Sequence, residues 1–143
     1  MSLIIEIVER ASDEIRDALN SLVSQLSSRA EMLNDAKLAS IIANPSLTVF
    51  VARDGDVIVG TLSLVVVPIP SGQLAHIEDV VVDVSARGLG AGDALVKAAI
   101  AHAASLGARE VDLTSRPSRT AANALYRKIG FVARETNVYR MKL

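Results

Sequence analysis

Residues 74–113 constrain the fold of this chain more than any other stretch. Residues 74–82 are mostly apolar and β-branched, the composition of a strand. A polar turn at residues 83–86 follows, and then Arg87-Gly88-Leu89-Gly90-Ala91-Gly92. Beyond the glycines, Leu95, Val96, Ala99, Ile100 and Ala103 recur at helical spacing, which predicts a helix over residues 88–105. Gly107 lies just past its last turn, where a left-handed residue commonly ends a helix. Residues 111–113 are apolar again and read as a short buried strand. Strand, helix and strand in this order make one parallel, right-handed crossover. A sheet that contains such a unit cannot be a simple meander.

The flanking segments add the remaining elements. Residues 3–8 read as a strand. Ser12, followed by Asp13 and Glu14, supplies a capping oxygen and two acids at the positive end of a helix. Ile15, Leu19, Leu22, Val23 and Leu26 then fall on one face. A second helix is predicted over residues 31–42 and ends before Asn44-Pro45, because proline disfavours helical backbone in the residue before it. Residues 47–52 and 57–67 read as strands joined at Asp54-Gly55, a hairpin signal, with Gly60 as a bulge position. Residues 68–72 read as a loop. Ser118 or Thr120 is placed to cap a helix that runs to Ile129 and stops at Gly130. Residues 131–133 and 138–143 read as two closing strands. The predicted class is α/β (α+β), with a mixed, mainly antiparallel sheet of about seven strands and about four packed helices. Residues 1–143 form one domain.

Composition narrows the function classes. Half of the residues (50%) are hydrophobic but only 3% are aromatic, so Val, Ile, Leu and Ala must fill the core. Fifteen basic and 16 acidic residues leave a net charge of −1, which argues against a nucleic-acid partner. There is no cysteine, so disulfides, thiolate metal sites and a cysteine nucleophile are excluded together. With only His76 and His102, no metal site is expected. The longest apolar-rich stretch, residues 57–70, contains Thr61, Ser63 and two prolines and is too short to span a membrane. Glu6 and Glu9 stand where a signal peptide would be basic, so no membrane partner and a cytoplasmic location are expected.

The glycine cluster carries the chemistry. The N–H groups in the first turn of a helix have no internal partners and lie at the positive end of its dipole. Glycines there let a phosphate approach the backbone, and Arg87 adds a forked cation. The physical reading is a pyrophosphate-binding turn. The same glycines would also serve a tight strand-to-helix turn that binds nothing. Two other phosphate loops do not fit. Gly92 is followed by Asp93-Ala94 rather than Lys-Ser/Thr, and a G-x-G-x-x-G pattern would need glycine where Asp93 stands.

The observed spacing, Arg87-x-x-Gly90-x-Gly92, resembles the Gln/Arg-x-x-Gly-x-Gly/Ala signature of the GNAT-type N-acetyltransferases. Ala122-Asn123-Ala124-Leu125-Tyr126-Arg127-Lys128-Ile129-Gly130-Phe131 resembles that family's Ala-x-x-Leu-Tyr-x-Lys-x-Gly-Phe segment. The order of elements resembles the family fold along the whole chain. The resemblance implies acetyl-coenzyme A as cosubstrate and a primary amine as acceptor. It places the pantetheine arm on the backbone of Val80, Val81 and Val82. It places the pyrophosphate on the N–H groups of Arg87, Gly88, Leu89, Gly90, Ala91 and Gly92.

Transfer of an acyl group from a thioester to an amine makes three demands. The amine must lose a proton, because an alkylamine with a pKa of about 10 is protonated at neutral pH. The developing oxyanion needs a donor, and the departing thiolate benefits from a proton. Tyr126 is the candidate acid: it lies on the helix that resembles the family's thiolate-facing helix. Its alternative is a core tyrosine beside Ala122, Leu125 and Ile129. A backbone N–H near Val80 is the candidate oxyanion donor. Glu78 and Asp79 interrupt an apolar strand and need a reason to be there. Simple alternation puts them on opposite faces. Glu78 is preferred as the base because it shares parity with Val80 and Val82, and Asp79 is assigned to the substrate.

In one place the sequence departs from the family pattern. Many members carry Asn three residues before the first alanine of the second motif, and here Arg119 stands there. Arg119 is assigned to the substrate, as a cation for a coenzyme or substrate phosphate, with a solvated loop arginine as its alternative. Asn123 is placed to supply the missing amide to the coenzyme, and Lys128 matches the family lysine. The run His76-Ile77-Glu78-Asp79-Val80 resembles glucosamine-6-phosphate N-acetyltransferases within the family. The expected activity is direct transfer from acetyl-coenzyme A to a primary amine in a ternary complex. An amino-sugar phosphate N-acetyltransferase and a non-catalytic acyl-coenzyme A sensor are the alternatives. A homodimer through a sheet edge or the last strands is compatible with the pattern.

Overall fold

The computed structural model describes residues 3–143. The elements in chain order are β1 (Leu3–Ile7), α1 (Asp13–Leu26), α2 (Asp35–Ala43), β2 (Leu47–Asp54), β3 (Val57–Ile69), β4 (Gly72–Val82), α3 (Ala91–Ser105) and α4 (Thr120–Ile129). A single 3-10 turn at Val84–Ala86 lies between β4 and α3. The four strands pair in the order β1-β2-β3-β4, each antiparallel to its neighbour.

Helices pack on both faces of the sheet. On one face, Phe50, Leu62, Leu64 and Ile77 meet Leu95, Val96 and Ala99 of α3 and Tyr126 of α4. On the other, Val49 and Val51 meet Ile15 and Leu19 of α1 and Leu38 of α2. Leu62, Leu64, Leu95 and Val96 have no exposed surface. Each such side chain contributes about 1.5–3 kcal/mol by burial. Gly60 sits at a register shift in β3, as expected for a bulge. A Cβ there would come within 3.1 Å of Leu95 Cδ1, so the glycine lets α3 lie close on the sheet.

Several expected boundaries move for physical reasons. Ser12 caps α1 as predicted, accepting from the N–H of Ile15 at 3.1 Å. The second helix begins later, at Asp35, where Asn34 accepts from the N–H of Lys37 at 2.8 Å. Residues 68–72 are mostly strand, and only Pro70-Ser71 turns between Ile69 and Gly72. Pro68 is tolerated because its nitrogen faces the β2 side. There the N–H of Val66 already bonds Ser46, just beyond the end of β2. The helix α4 starts after Arg119, and neither Ser118 nor Thr120 supplies a side-chain cap.

The sheet has four strands rather than about seven. Residues 111–113 contribute one parallel bridge, between His76 and Asp112. The N–H of Ile77 bonds the Asp112 carbonyl at 2.9 Å, and the N–H of Asp112 bonds the Ala75 carbonyl at 3.1 Å. Residues 131–133 and 138–143 pair with nothing among the described residues. A strand needs a facing edge as well as β-prone residues, and this tail runs past none.

Candidate active site

The site is built where β4 loses its regular register. Thr61 faces Val81 and Ser63 faces Glu78, so between these pairs one residue of β3, Leu62, opposes two of β4, Asp79 and Val80. The extra residue is a bulge at Asp79-Val80, and Asp79 takes a left-handed backbone with φ 52°. Aspartate is among the few residues that tolerate this conformation. The bulge inverts parity along β4. Ala75 and Ile77 point into the α3 face before it, and Val80 and Val82 pack against that same face after it. Glu78 therefore does not share a face with Val80 and Val82, contrary to simple alternation. Glu78 and Asp79 do line one cleft together.

Backbone parity inverts as well. The N–H of Asp83 bonds Val59 at 2.7 Å, so residue 81 turns towards β3, and residues 80 and 82 turn their N–H and carbonyl groups to the outer edge. The expected open backbone thus narrows to Val80 and Val82. On that edge the chain at 113–115 diverges after the His76–Asp112 bridge. The resulting cleft, of about 140 Å³, lies between Ile77–Val80 and Leu113–Ser115, with Arg119 and Tyr126 also lining it.

Tyr126 is the one buried residue of α4. Its ring stands edge-on to Phe131, with centroids 5.9 Å apart. Its hydroxyl makes no hydrogen bond among the described residues and is not sealed from solvent, which leaves it free towards the cleft. Burial raises its pKa above the ordinary 10.0, and the nearby Arg119 charge partly opposes that shift.

The glycine turn lies at the end of β4. Gly88 and Gly90 take left-handed backbones, with φ 84° and 83°. No heavy atom lies within 4 Å of where a Cβ would stand at either position, so the surface is open. The first intrahelical bond of α3 runs from the N–H of Ala94 to Gly90 at 3.0 Å. The N–H groups of Ala91, Gly92 and Asp93 therefore lack helical partners, and no side chain caps them. Gly92 does a different job: a Cβ there would meet Leu125 Cδ2 at 3.2 Å, so it sets the approach of α4. Arg87 and Leu89 flank the turn, Arg87 exposed and Leu89 packed on the core. These features fit the diphosphate of a coenzyme: an open cradle, unpartnered donors and an adjacent cation.

Asn123, Lys128, His102 and Glu78 are placed as follows. The Asn123 side-chain amide donates to the Arg116 and Arg119 carbonyls at 2.9 and 2.8 Å, so it holds the loop before α4. Only its side-chain oxygen remains for a ligand. Lys128 is exposed near the end of α4. His102 packs edge-on to Phe50 at 5.8 Å, a packing role. Glu78 is largely exposed and stands 3.7 Å from His76 Nδ1.

A second cavity was not expected from the sequence. It measures about 370 Å³ and lies under α1 and the segment leading to α2. Arg29, Glu31, Met32 and Lys37 line its outer side, and Thr61, Ser63 and Asp79 line its floor. Asp79 belongs to both cavities. The segment over the cavity is held by Asn20, which bonds both the carbonyl and the N–H of Leu33, at 3.1 and 2.7 Å. At the C-terminal end of α1, Gln25 bonds Asp83 at 3.1 Å and the N–H of Val84 at 3.2 Å. Hydrogen bonds from the Ser85 hydroxyl, the Ser85 N–H and Gln25 hold the Asp83 carboxyl below its ordinary pKa. Among the described residues no cluster of three or more His, Asp or Glu could hold a metal, and no helix is long and apolar enough to cross a membrane.

The model of the acetyltransferase (GNAT) family matches residues 12–131. The chain belongs to the GNAT acetyltransferase family. A glucosamine 6-phosphate N-acetyltransferase from Oryza sativa subsp. japonica is 42% identical over 67 residues, which are 47% of this chain. That match spans only 38% of the rice protein's length. A Trypanosoma brucei acetyltransferase structure superposes with a TM-score of 0.79 at 29% identity, covering 99% of this chain and 100% of the other. A glucosamine-6-phosphate N-acetyltransferase structure from Arabidopsis thaliana gives a TM-score of 0.80 at 22% identity, covering 96% and 98%, and speaks for the fold alone. Both glycine turn and Tyr126 segment of this GNAT chain lie inside the matched span, which ends at Phe131.

Proposed function

We propose that this chain is an N-acetyltransferase that moves the acetyl group of acetyl-coenzyme A directly onto a primary amine in a ternary complex. The observation that carries this reading is the open edge of β4, where the outward backbone of Val80 shares a cleft with Tyr126 and that of Val82 continues the same edge. Gly88, Gly90 and the unpartnered N–H groups of Ala91, Gly92 and Asp93 hold the diphosphate, with Arg87 beside them. Val80 and Val82 hold the pantetheine arm along the edge. When bound, the coenzyme supplies a thioester carbonyl next to Val80.

The chain's own groups then do the rest. The Val80 N–H donates to the oxygen as negative charge develops on it. Tyr126 delivers a proton to the departing sulfur, and its raised pKa keeps that proton in place at neutral pH. Asp79, at the junction of the two cavities, holds the incoming ammonium, and Glu78 takes its proton through water. The acceptor enters from the cavity under α1. With no cysteine in the chain, a cysteine-bound acetyl intermediate has no place in the scheme.

A narrower reading is that the acceptor is an amino-sugar phosphate. The 42% identity to the rice enzyme over 67 residues favours it. Arg29 on the acceptor cavity and Arg119 on the cleft are the cations available to a phosphate, whereas Lys37 is already paired with Glu31 at 2.9 Å. Calorimetric titration with acetyl-coenzyme A, followed by thiol-release assays against amines including glucosamine 6-phosphate, tests both readings. Binding plus thiol release with one amine class supports transfer and names the acceptor. Binding without turnover across the panel points instead to a sensor of acyl-coenzyme A. Absence of binding removes the assignment of the glycine turn.

A further inference from the structure

The last turn of α1 touches every part of the site. Ser24 and Ser27 line the cavity under α1, and Leu26 lines the acyl cleft. Gln25, between them, reaches the turn that leads from β4 to the glycines. Its amide nitrogen donates to Asp83 Oδ2 at 3.1 Å, and its amide oxygen accepts from the N–H of Val84 at 3.2 Å. Both ends of one amide are used, which fixes its orientation. Among the described residues, no other α1 side chain hydrogen-bonds this turn.

The turn is stiff without that contact. The N–H of Asp83 bonds Val59 at 2.7 Å, and the N–H of Ala86 bonds the Asp83 carbonyl at 2.9 Å. Asp83 Oδ1 accepts from the N–H and the hydroxyl of Ser85, at 2.9 and 2.6 Å. Only Oδ2 is left for Gln25. Arg87 follows directly, so a ligand on the glycines acts on this turn. On the other side of Gln25, the wall of the cavity hangs from α1. The N–H of Arg29 bonds Ser27 Oγ at 3.2 Å, that of Ala30 bonds the Ser27 carbonyl at 3.3 Å, and that of Leu33 bonds Asn20 Oδ1 at 2.7 Å. Gln25 itself is exposed. Hydrogen bonds from a long, exposed side chain add little to the stability of a fold, so a bidentate contact here asks for another reason.

We propose that Gln25 is a positioning residue, whose clasp on Asp83 and Val84 couples the coenzyme turn to the wall of the acceptor cavity. The inference rests on the transferase reading, which assigns the coenzyme to one side of the clasp and the amine to the other. The clasp has two states, closed and open, as coupling between sites requires. Coenzyme on the glycines holds the turn and favours the closed clasp, and the segment at residues 28–34 then settles over the cavity. By linkage, an amine in the cavity strengthens coenzyme binding by the same factor.

Amide hydrogen exchange on the full chain, with acetyl-coenzyme A as the only ligand, tests it. Saturating acetyl-coenzyme A should slow exchange at Arg29, Ala30 and Leu33 by about five-fold or more, although none of them lines the acyl cleft. In Gln25→Ala that protection should vanish, while residues 88–92 stay protected. Gln25→Glu sets two carboxylates against each other and should do the same. Adding Asp83→Asn to Gln25→Glu rebuilds the clasp with donor and acceptor exchanged. The new amide donates to the new carboxylate, and the Val84 N–H keeps an oxygen. Protection should then return. Should Gln25→Ala fail to fold, the exchanged pair measured against Gln25→Glu still decides. Protection that survives Gln25→Ala overturns the proposal, as does a native chain that binds acetyl-coenzyme A without protecting the cavity wall. Loss without rescue in the exchanged pair overturns the clasp. A native chain that binds no acetyl-coenzyme A removes the transferase reading and the coupling with it.

Discussion

Replacing Tyr126 with phenylalanine separates catalysis from packing. The hydroxyl makes no hydrogen bond among the described residues, so its removal leaves no buried partner unsatisfied. The ring keeps its edge-on contact with Phe131. Stability should therefore change by no more than about 0.5 kcal/mol, or about 1–2 °C in melting temperature for a domain of this size. Turnover should fall much further. A positioned general acid contributes about 10²–10⁴-fold, and a thiol with a pKa of about 8.5 is already a fair leaving group. A loss of about 10²-fold, or about 2.7 kcal/mol in barrier, is the expected size. Thiol release suits the assay because the chain has no cysteine to react with the reporter. Acetyl-coenzyme A affinity, measured separately by calorimetry, should stay within about threefold. Full turnover in the Tyr126→Phe variant would falsify the acid role. A melting temperature lowered by many degrees would show that the hydroxyl serves packing.

The remaining predictions concern the other groups of the site. Gly90→Ala and Gly90→Glu share the strain of a left-handed backbone at φ 83°, about 1–2 kcal/mol. Only the glutamate adds charge at the phosphate cradle, so it should abolish coenzyme binding while alanine weakens it; equal affinities would mean the phosphate lies elsewhere. Asp79→Gly relieves the strain at φ 52° and should raise stability by about 0.5–1 kcal/mol while activity falls. Denaturation and turnover moving in the same direction would contradict that. In a Tyr139→Phe background, the phenolate absorbance of Tyr126 should rise with a midpoint above 10.0. Because its folded pKa is raised, the associated stability is intact below the unfolded pKa of about 10 and is lost as pH rises through the folded value. Glu78→Gln should remove the acidic limb of the pH–rate profile, and an unaltered limb would eliminate Glu78 as the base.

The parts of the fold legible in the sequence are those where one periodicity dominates. The run at residues 74–82, the glycines and the α3 stripe are each local signals, and they locate the turn that the structure opens to solvent. The bulge is a different kind of feature. Nothing in the residue types at 78–80 states that β4 carries one residue more than β3, and a single extra residue exchanges both faces and both edges from there on. Two adjacent acids within an apolar strand were the only cue. The cavity under α1 was illegible for another reason: its wall at residues 27–34 has no repeat and is held by Asn20 across 13 positions of sequence. The closing strands failed because β-prone composition describes a segment and pairing describes two. The glycines and Asn123 show that residue type can be read correctly while its task is not. Gly92 admits Leu125, whereas Gly88 and Gly90 face open space, and the Asn123 amide holds a loop.

Asp79 is where these threads meet. A regular strand would give β4 one acid towards the α1 cavity and one towards α3, and the Val80 backbone would bond β3. One inserted residue changes all three outcomes. It turns the Val80 N–H to the open edge, keeps Glu78 and Asp79 on the same cleft, and brings Asp79 to the floor of the neighbouring cavity. The cost is one strained backbone, of about 1–2 kcal/mol, at a residue with no fold-level need for it. Glycine would adopt the same φ without strain, so stability alone gives no reason for aspartate at this position. On the proposed reading a carboxylate at the junction of the two cavities does give one, because a cationic amine would pass that point to reach the thioester. The strain and the charge together make Asp79 the residue whose substitution most sharply distinguishes a transferase from a protein that merely holds the coenzyme. Only the transferase needs both cavities joined, and Asp79→Gly should spare its coenzyme affinity while removing its acceptor dependence.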